Sequence, residues 1–137
     1  MPTFIKHDNE IIAIIISAEF KKNGIEFFTP DEFSQQLAYM NRPLGYFIEP
    51  HVHKKVERSV HYTLETLFIR KGRVKIDFYT SEKKYIQSEV LKTGDVVLLA
   101  SGGHGFTMLE PTEMIEVKQG PYASEMDKER FKGNTNG

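Results

Sequence analysis

Hydrophobic residues along this chain fall into short runs that are bounded by polar or turn-forming residues. The clearest run, Ile11–Ile16, consists of isoleucine and one alanine, and such a β-branched run predicts a buried strand. The segment Val74–Tyr79 alternates apolar and polar residues, as expected of a strand that buries one of its two faces. Both patterns indicate β-structure.

Further short segments with the same character recur towards the carboxyl terminus, separated by glycine-containing turns. Many short strands at such spacing are typical of an antiparallel sandwich or barrel, so the predicted fold class is all-β. The additional predicted strands are Gln35–Arg42, Gly45–His53, Leu64–Arg70, Tyr85–Leu91, Asp95–Ala100, Phe106–Leu109 and Met114–Lys118.

Two local signals stand out before residue 40. Asn23-Gly24 tolerates positive φ at both positions, which predicts a tight hairpin between the segments Phe20–Lys22 and Ile25–Phe28. Thr29, followed by Pro and then by acidic residues, resembles a helix start and predicts one short helical turn at Thr29–Glu32.

The length of 137 residues predicts a single domain with a real hydrophobic core. We assign this domain to residues 1–123, with a barrel core at about 37–118. Residues 124–137 form a polar tail that is charged at first and then rich in Gly and Asn. The start of this tail is compatible with a short helix, and its end is expected to fray.

The amino-acid composition limits which binding partners and which metal ligands are expected. The formal net charge of −1 provides no overall basic field, so we expect neither nucleic acid nor an anionic membrane as a partner. The chain contains no cysteine, so any metal must be held by histidine, carboxylate or water. A small-molecule ligand is the expected partner.

The amino-terminal residues Met1–Glu10 are polar and lack the apolar core of a secretory signal. The longest apolar run, Ile11–Ile16, is far too short to span a bilayer. A cytoplasmic location is therefore predicted. The same run, taken as an exposed edge strand, also predicts a homodimer, because an unpaired apolar edge tends to associate.

The most suggestive short motif is His51-Val52-His53. On a strand, residues i and i+2 point to one face about 6.5–7 Å apart, so two imidazoles can converge on one divalent ion. The alternative is a pair of solvated surface histidines. His7 and His61 are interpreted as surface residues.

Other residues extend this motif into an arrangement that resembles the cupin superfamily. The first cupin motif matches Gly45, five residues, His51-Val52-His53, then Glu65, six residues and Gly72. The second matches Gly94, five residues, then Ala100-Ser101-Gly102-Gly103-His104.

The resemblance implies a double-stranded β-helix, or jelly-roll barrel, with a divalent metal ion in its mouth. It further implies that His51, His53, Glu65 and His104 are the metal ligands. Such a set leaves one or two coordination positions for water or substrate. The metal would be Zn, Fe, Mn or Ni.

The chain departs from the cupin pattern in both motifs. Eleven residues separate His53 from Glu65, where the family has three or four, so Lys54–Leu64 is predicted to be an enlarged loop. Glu57 keeps the short spacing and is the alternative carboxylate ligand. In the second motif Ala100 replaces Pro, one residue is missing before His104, and Met108 stands at the Asn position.

Three classes of function remain open from the sequence. The first is an enzyme that isomerises or epimerises a sugar or nucleotide-sugar with metal assistance, with Glu65, Tyr62 or a metal-bound water moving a proton. An Fe(II)-dependent dioxygenase would use the same ligands. The second class is a non-enzymatic small-molecule-binding module. The third is a structural cupin that no longer carries out a chemical reaction. Basic residues of the enlarged loop, Lys54, Lys55 and Arg58, favour a carboxylated or phosphorylated ligand.

Overall fold

The computed structural model describes residues 1–133 and shows an all-β chain. Its contacts cluster into two compact units. The main unit comprises residues 1–20 and the chain from Tyr62 onward, and the small unit comprises residues 21–61. The strands are β1 (Thr3–His7), β2 (Glu10–Ile16), β3 (Gly24–Phe27), β4 (Ala38–Asn41), β5 (Glu65–Lys71), β6 (Arg73–Tyr79), β7 (Tyr85–Lys92), β8 (Val96–Leu99), β9 (Gly103–Met108) and β10 (Glu113–Lys118).

The main unit contains two antiparallel sheets. Five strands form one sheet in the order β1-β2-β8-β5-β10, and three form the other in the order β7-β6-β9. Within residues 1–133, no strand pairing joins one sheet to the other. The two sheets are therefore open and do not form a closed barrel, and the predicted jelly-roll arrangement is not confirmed. The all-β class and the antiparallel pairing are confirmed.

Both sheets of the main unit contribute to one hydrophobic core. Leu67 and Ile69 enter it from β5, and Ile76 and Phe78 enter it from β6. Phe78 and Ile76 have no exposed surface. Alternate residues of β5 and β6 belong to this core, as the period-two pattern of Val74–Tyr79 predicts. The cluster also includes Ile12, Ala13 and Ile15 of β2.

The strand at Ile11–Ile16 is confirmed, but it is not at the edge of its sheet. β1 pairs with it antiparallel, and Asp8 and Asn9 form the turn with φ values of 50° and 66°. Asn and Asp tolerate this left-handed conformation better than most residues. The sequence-based interpretation missed β1, and the homodimer is thus a prediction without its original support.

The small unit is built around the antiparallel pair of β3 and β4. Gly24 pairs with Asn41 and Phe27 pairs with Ala38, so the predicted hairpin at Asn23-Gly24 is wrong. Gly24 has a φ of +86° and begins β3 instead of turning between two strands.

The loop between β3 and β4 contains a hydrogen-bonded turn at residues 30–33, and the helical turn predicted at Thr29–Glu32 is not confirmed. The Phe33 amide donates a hydrogen bond to the Pro30 carbonyl at 3.1 Å, which closes a single turn. The Gln36 side-chain amide donates to the carbonyls of Pro30 and Phe33 at 2.9 Å each. The Gln36 side chain thus satisfies carbonyls of the loop, and the chain proceeds to β4 without a helix.

The segment Gly45–His53 is not a strand, contrary to the prediction. Pro43 to Tyr46 forms a turn with Gly45 at φ +82°, and the following residues have no strand partner and are exposed. A strand without a neighbour leaves its backbone groups unpaired, so sequence pattern alone does not stabilise it. Lys54–Leu64 is irregular, as predicted for an enlarged loop.

A 3₁₀ helix at Ser124–Asp127 lies where the start of the tail was expected to allow a short helix. Residues 134–137, where fraying was predicted, lie outside the described part of the chain. Across residues 1–133, no helix has the length and apolar character needed to cross a membrane.

Candidate functional site

A groove of about 950 Å³ opens in the main unit at one end of its two sheets. It forms where the inner face of the β5–β10 pair changes from apolar to polar. Ile69 lies opposite Met114, whereas further along the pair Glu65 lies opposite Lys118. The apolar Ile69–Met114 pair packs in and against the core, and the polar Glu65–Lys118 pair lines the groove.

Three charged side chains meet on this inner face. Lys118 Nζ lies 3.9 Å from Glu65 Oε1 and 3.5 Å from Glu116 Oε2. Glu116 and Lys118 are two residues apart on β10 and therefore point to the same side. Glu65 is the least exposed of the three, with 15% of its side-chain surface accessible.

His104 reaches Glu65 from the other sheet. It lies on β9 opposite Phe78 of the core strand β6, and its Nε2 lies 4.0 Å from Glu65 Oε2. The preceding turn contains Gly102 at φ +70°, where a Cβ would lie 2.3 Å from the Tyr79 carbonyl oxygen. Only glycine fits this turn, which positions His104 at the groove.

Burial changes the protonation of both members of this pair. The pKa of Glu65 is raised from 4.5, mainly by burial and next by the negative charge of Glu116, while Lys118 opposes the rise. The pKa of His104 is lowered from 6.5, mainly by burial, with Glu116 opposing the change and Lys128 and Lys118 adding to it. At neutral pH His104 is therefore a neutral imidazole, the form that binds metal.

The remaining predicted ligands belong to the small unit. The rings of His51 and His53 lie 5.2 Å apart between centroids, and His51 Nδ1 lies 2.9 Å from the carbonyl oxygen of Glu49. The two imidazoles are thus close together, although no strand carries them. Both are exposed, as is the alternative ligand Glu57.

The predicted four-ligand set is divided between the two units. Glu65 and His104 come together in the main unit, and His51 and His53 come together in the small unit. Their joint ligation of one ion stays a prediction. Tyr62, the predicted proton donor, lines the groove with 75% of its surface exposed.

The donors in the groove fit part of a metal site. A neutral imidazole nitrogen and a carboxylate oxygen are suitable ligands for Zn, Fe, Mn or Ni. Among the side chains that the structure describes, no three His, Asp or Glu residues are arranged as a metal-binding group. Glu65 and His104 thus account for two metal-ligand atoms in the groove, fewer than a complete protein-derived site.

Two parts of the groove were not identified from the sequence. Lys118 ends a predicted strand, but neither the direction of its side chain nor the contribution of Glu116 was identified. The alternation of Met114, Glu116 and Lys118 is a signal for a shared face. No sequence signal indicates that residues 127–131, interpreted as tail, line the groove.

Comparison of the chain with protein-family models, curated proteins and solved structures finds no match.

Proposed function

We propose that the chain is a metal-binding protein of the cupin type that isomerises or epimerises a small polar substrate. A sugar or nucleotide-sugar, with or without a carboxylate, is the substrate class that the cupin resemblance favours. We also propose that the strands of the main unit are arranged as in a jelly roll. The observation that carries it is the contact between His104 and Glu65, 4.0 Å apart in a groove between two antiparallel sheets.

A bound divalent ion would polarise a carbonyl or hydroxyl of the substrate. His104 and Glu65 Oε2 are the proposed ligands in the groove, and His51 and His53 are the additional ligands predicted by the motif. Glu65 Oε1 faces Lys118 and is the proposed proton acceptor.

Burial raises the pKa of the Glu65 carboxyl in the metal-free protein, and this moves the carboxyl towards the range in which a general base both accepts and releases a proton. Tyr62, at the rim of the groove, is the proposed donor to the substrate oxygen. Lys118 holds the Glu65 carboxylate in place and offsets its charge.

Metal binding is the first test. We expect the purified protein to bind close to one equivalent of Zn²⁺, Fe²⁺, Mn²⁺ or Ni²⁺, measured by elemental analysis and calorimetry. His104→Ala and Glu65→Gln should each weaken the affinity by about tenfold or more, because each removes a proposed ligand. His7→Ala, which alters an exposed histidine of β1, is the matched control.

The His51→Ala and His53→Ala variants test the part of the ligand set in the small unit. Unchanged metal affinity in both would remove them from the site. If the wild-type protein binds none of the four ions, the metal proposal is wrong.

Turnover is the second test. We expect the metal-loaded protein to convert at least one member of a nucleotide-sugar panel without consuming O₂. Oxygen uptake linked to substrate loss would indicate a dioxygenase instead. Saturable binding without turnover would indicate a binding module.

A further inference from the structure

The chain from Ser124 to Gly133, called the tail segment below, runs along the groove. Thr63 Oγ1 donates a hydrogen bond to Asp127 Oδ2 at 3.1 Å, just before β5. Farther along, Glu129 forms an ion pair with Lys83 of the turn between β6 and β7. The tail segment is therefore attached to both sheets, although it contributes no strand to either.

Phe131 anchors the far end of this segment. Its ring packs edge-on against Tyr79, with centroids 5.0 Å apart and planes at 87°. It also covers Gly103 so closely that a Cβ there would lie 2.9 Å from the Phe131 ring. An aromatic ring packed directly against a glycine is a specific contact, which a freely solvated tail would not make.

Lys128 lies between Asp127, which is hydrogen-bonded to Thr63, and Phe131, which packs on Tyr79. It lines the groove. Its positive charge acts on both Glu65 and His104. Lys118 is engaged by Glu65 and Glu116, and Lys83 is engaged by Glu129. Among the side chains that the structure describes, no carboxylate lies within 4.0 Å of the Lys128 ammonium group.

The charge balance of the groove indicates what Lys128 would contact. Five carboxylates and four Lys or Arg side chains line the groove, a formal net charge of −1. A bound divalent cation would change this balance to +1. A ligand with a negative group would then neutralise the site, and the Lys128 ammonium, which none of the described carboxylates engages, is available to bind that group.

We propose that the tail segment is a third wall of the groove, fixed by Phe131, and that it presents Lys128 to a carboxylate or phosphate group of the ligand. This inference rests on the proposed function. It adds a specificity-determining residue, Lys128, and a positioning residue, Phe131.

Acetate and inorganic phosphate are the probes, titrated separately into the metal-loaded full-length protein by calorimetry. We expect Lys128→Met to weaken binding of the preferred anion by about fivefold to tenfold, the loss of one charge-assisted hydrogen bond. Lys128→Arg should restore much of it. Lys71→Met, which alters an exposed lysine at the end of β5, should have no effect.

Phe131→Ala should weaken anion binding as Lys128→Met does, because the wall would no longer hold Lys128 in place. Phe4→Ala, which alters an exposed phenylalanine of β1, is the matched control. Metal affinity should not fall more than about twofold below wild type in any of these variants. Equal anion affinity in wild type, Lys128→Met and Phe131→Ala would overturn the inference while leaving the proposed function intact.

Accessibility of His104 provides a readout that needs neither metal nor turnover. We expect diethyl pyrocarbonate to modify His104 several times faster in the metal-free Phe131→Ala protein than in wild type, as followed by mass spectrometry. His7 is the internal control, since 49% of its side chain is already exposed. If wild type binds no metal, the proposed function fails, and an unchanged His104 rate would then overturn the third wall as well.

Discussion

At the scale of single residues, the groove contains an acid and a base whose pKa values are shifted from their ordinary values in opposite directions. Burial raises the pKa of the Glu65 carboxyl and lowers the pKa of the His104 imidazole. Burial disfavours whichever form is charged, so an acid and a base respond in opposite directions. The directions of these two pKa changes determine how the stability of the metal-free protein depends on pH.

The first concerns His104. Because its folded-state pKa lies below 6.5, His104 contributes stability that is present above pH 6.5 and is lost as the pH falls through the folded-state pKa. His104→Gln should therefore reduce the loss of unfolding free energy between pH 7.5 and pH 5, measured by urea denaturation. An identical pH dependence in wild type and His104→Gln would contradict this account.

The second concerns Glu65, whose folded-state pKa lies above 4.5. Its contribution to stability is present below pH 4.5 and is lost as the pH rises through the folded-state pKa. Glu65→Gln, which keeps the shape without the charge, should be more stable than wild type at pH 7. The gain should shrink towards pH 4. A variant less stable than wild type at pH 7 in urea denaturation would show that the contact with Lys118 outweighs burial.

At the scale of elements, the turns decide where strands can stop and reverse. The turn between β5 and β6 contains Gly72 at φ +98°, where a Cβ would lie 2.4 Å from the Pro111 carbonyl oxygen. The turn therefore packs closely against the loop between β9 and β10, where Thr112 Oγ1 donates a hydrogen bond to the Arg73 carbonyl at 2.9 Å. Gly72→Ala should therefore introduce both an unfavourable φ and a steric clash.

We expect Gly72→Ala to lower the free energy of unfolding by about 1–3 kcal/mol, the usual cost of a strained backbone position. Gly105→Ala is the control, because no atom lies within 4 Å of its Cβ position and its φ is not in the left-handed region. Urea denaturation of the two variants measures the difference. Equal stability of both would mean that the loop moves away from Gly72 at little cost.

Strand predictions succeeded where a segment buries one face and has a neighbour on the sheet. β5, β6, β7 and β10 begin or end within a residue or two of the predicted bounds. Gly45–His53 has a pattern that fits a strand, yet it remains exposed and unpaired. The pattern reports which side chains would share a face, but only a pairing partner satisfies the backbone hydrogen bonds.

At the scale of the whole molecule, the sheets of the main unit are held together by their shared core. Phe78 lies at its centre with no exposed surface. Phe78→Ala should lower the free energy of unfolding by about 3–5 kcal/mol through lost burial and the cavity left behind. Phe4→Ala should cost much less, because 40% of Phe4 is exposed. Thermal or urea unfolding compares the two, and similar losses would contradict the assignment of Phe78 to the core.

The sequence alone determined the all-β class and most strands of the main unit. It also pointed to Glu65 and His104, through the spacing of motifs that resemble those of cupins. Strand periodicity and glycine turns are local properties, so they can be interpreted without coordinates.

Only the tertiary structure decided which side chains meet. It brought Lys118 and Glu116 to Glu65 across one strand pair, and it laid Lys128 and Phe131 along the groove. It also placed β1 outside β2 and left the sheets open. These outcomes depend on contacts between residues far apart in the chain, and no local pattern encodes which of the many compatible pairings has the lowest free energy.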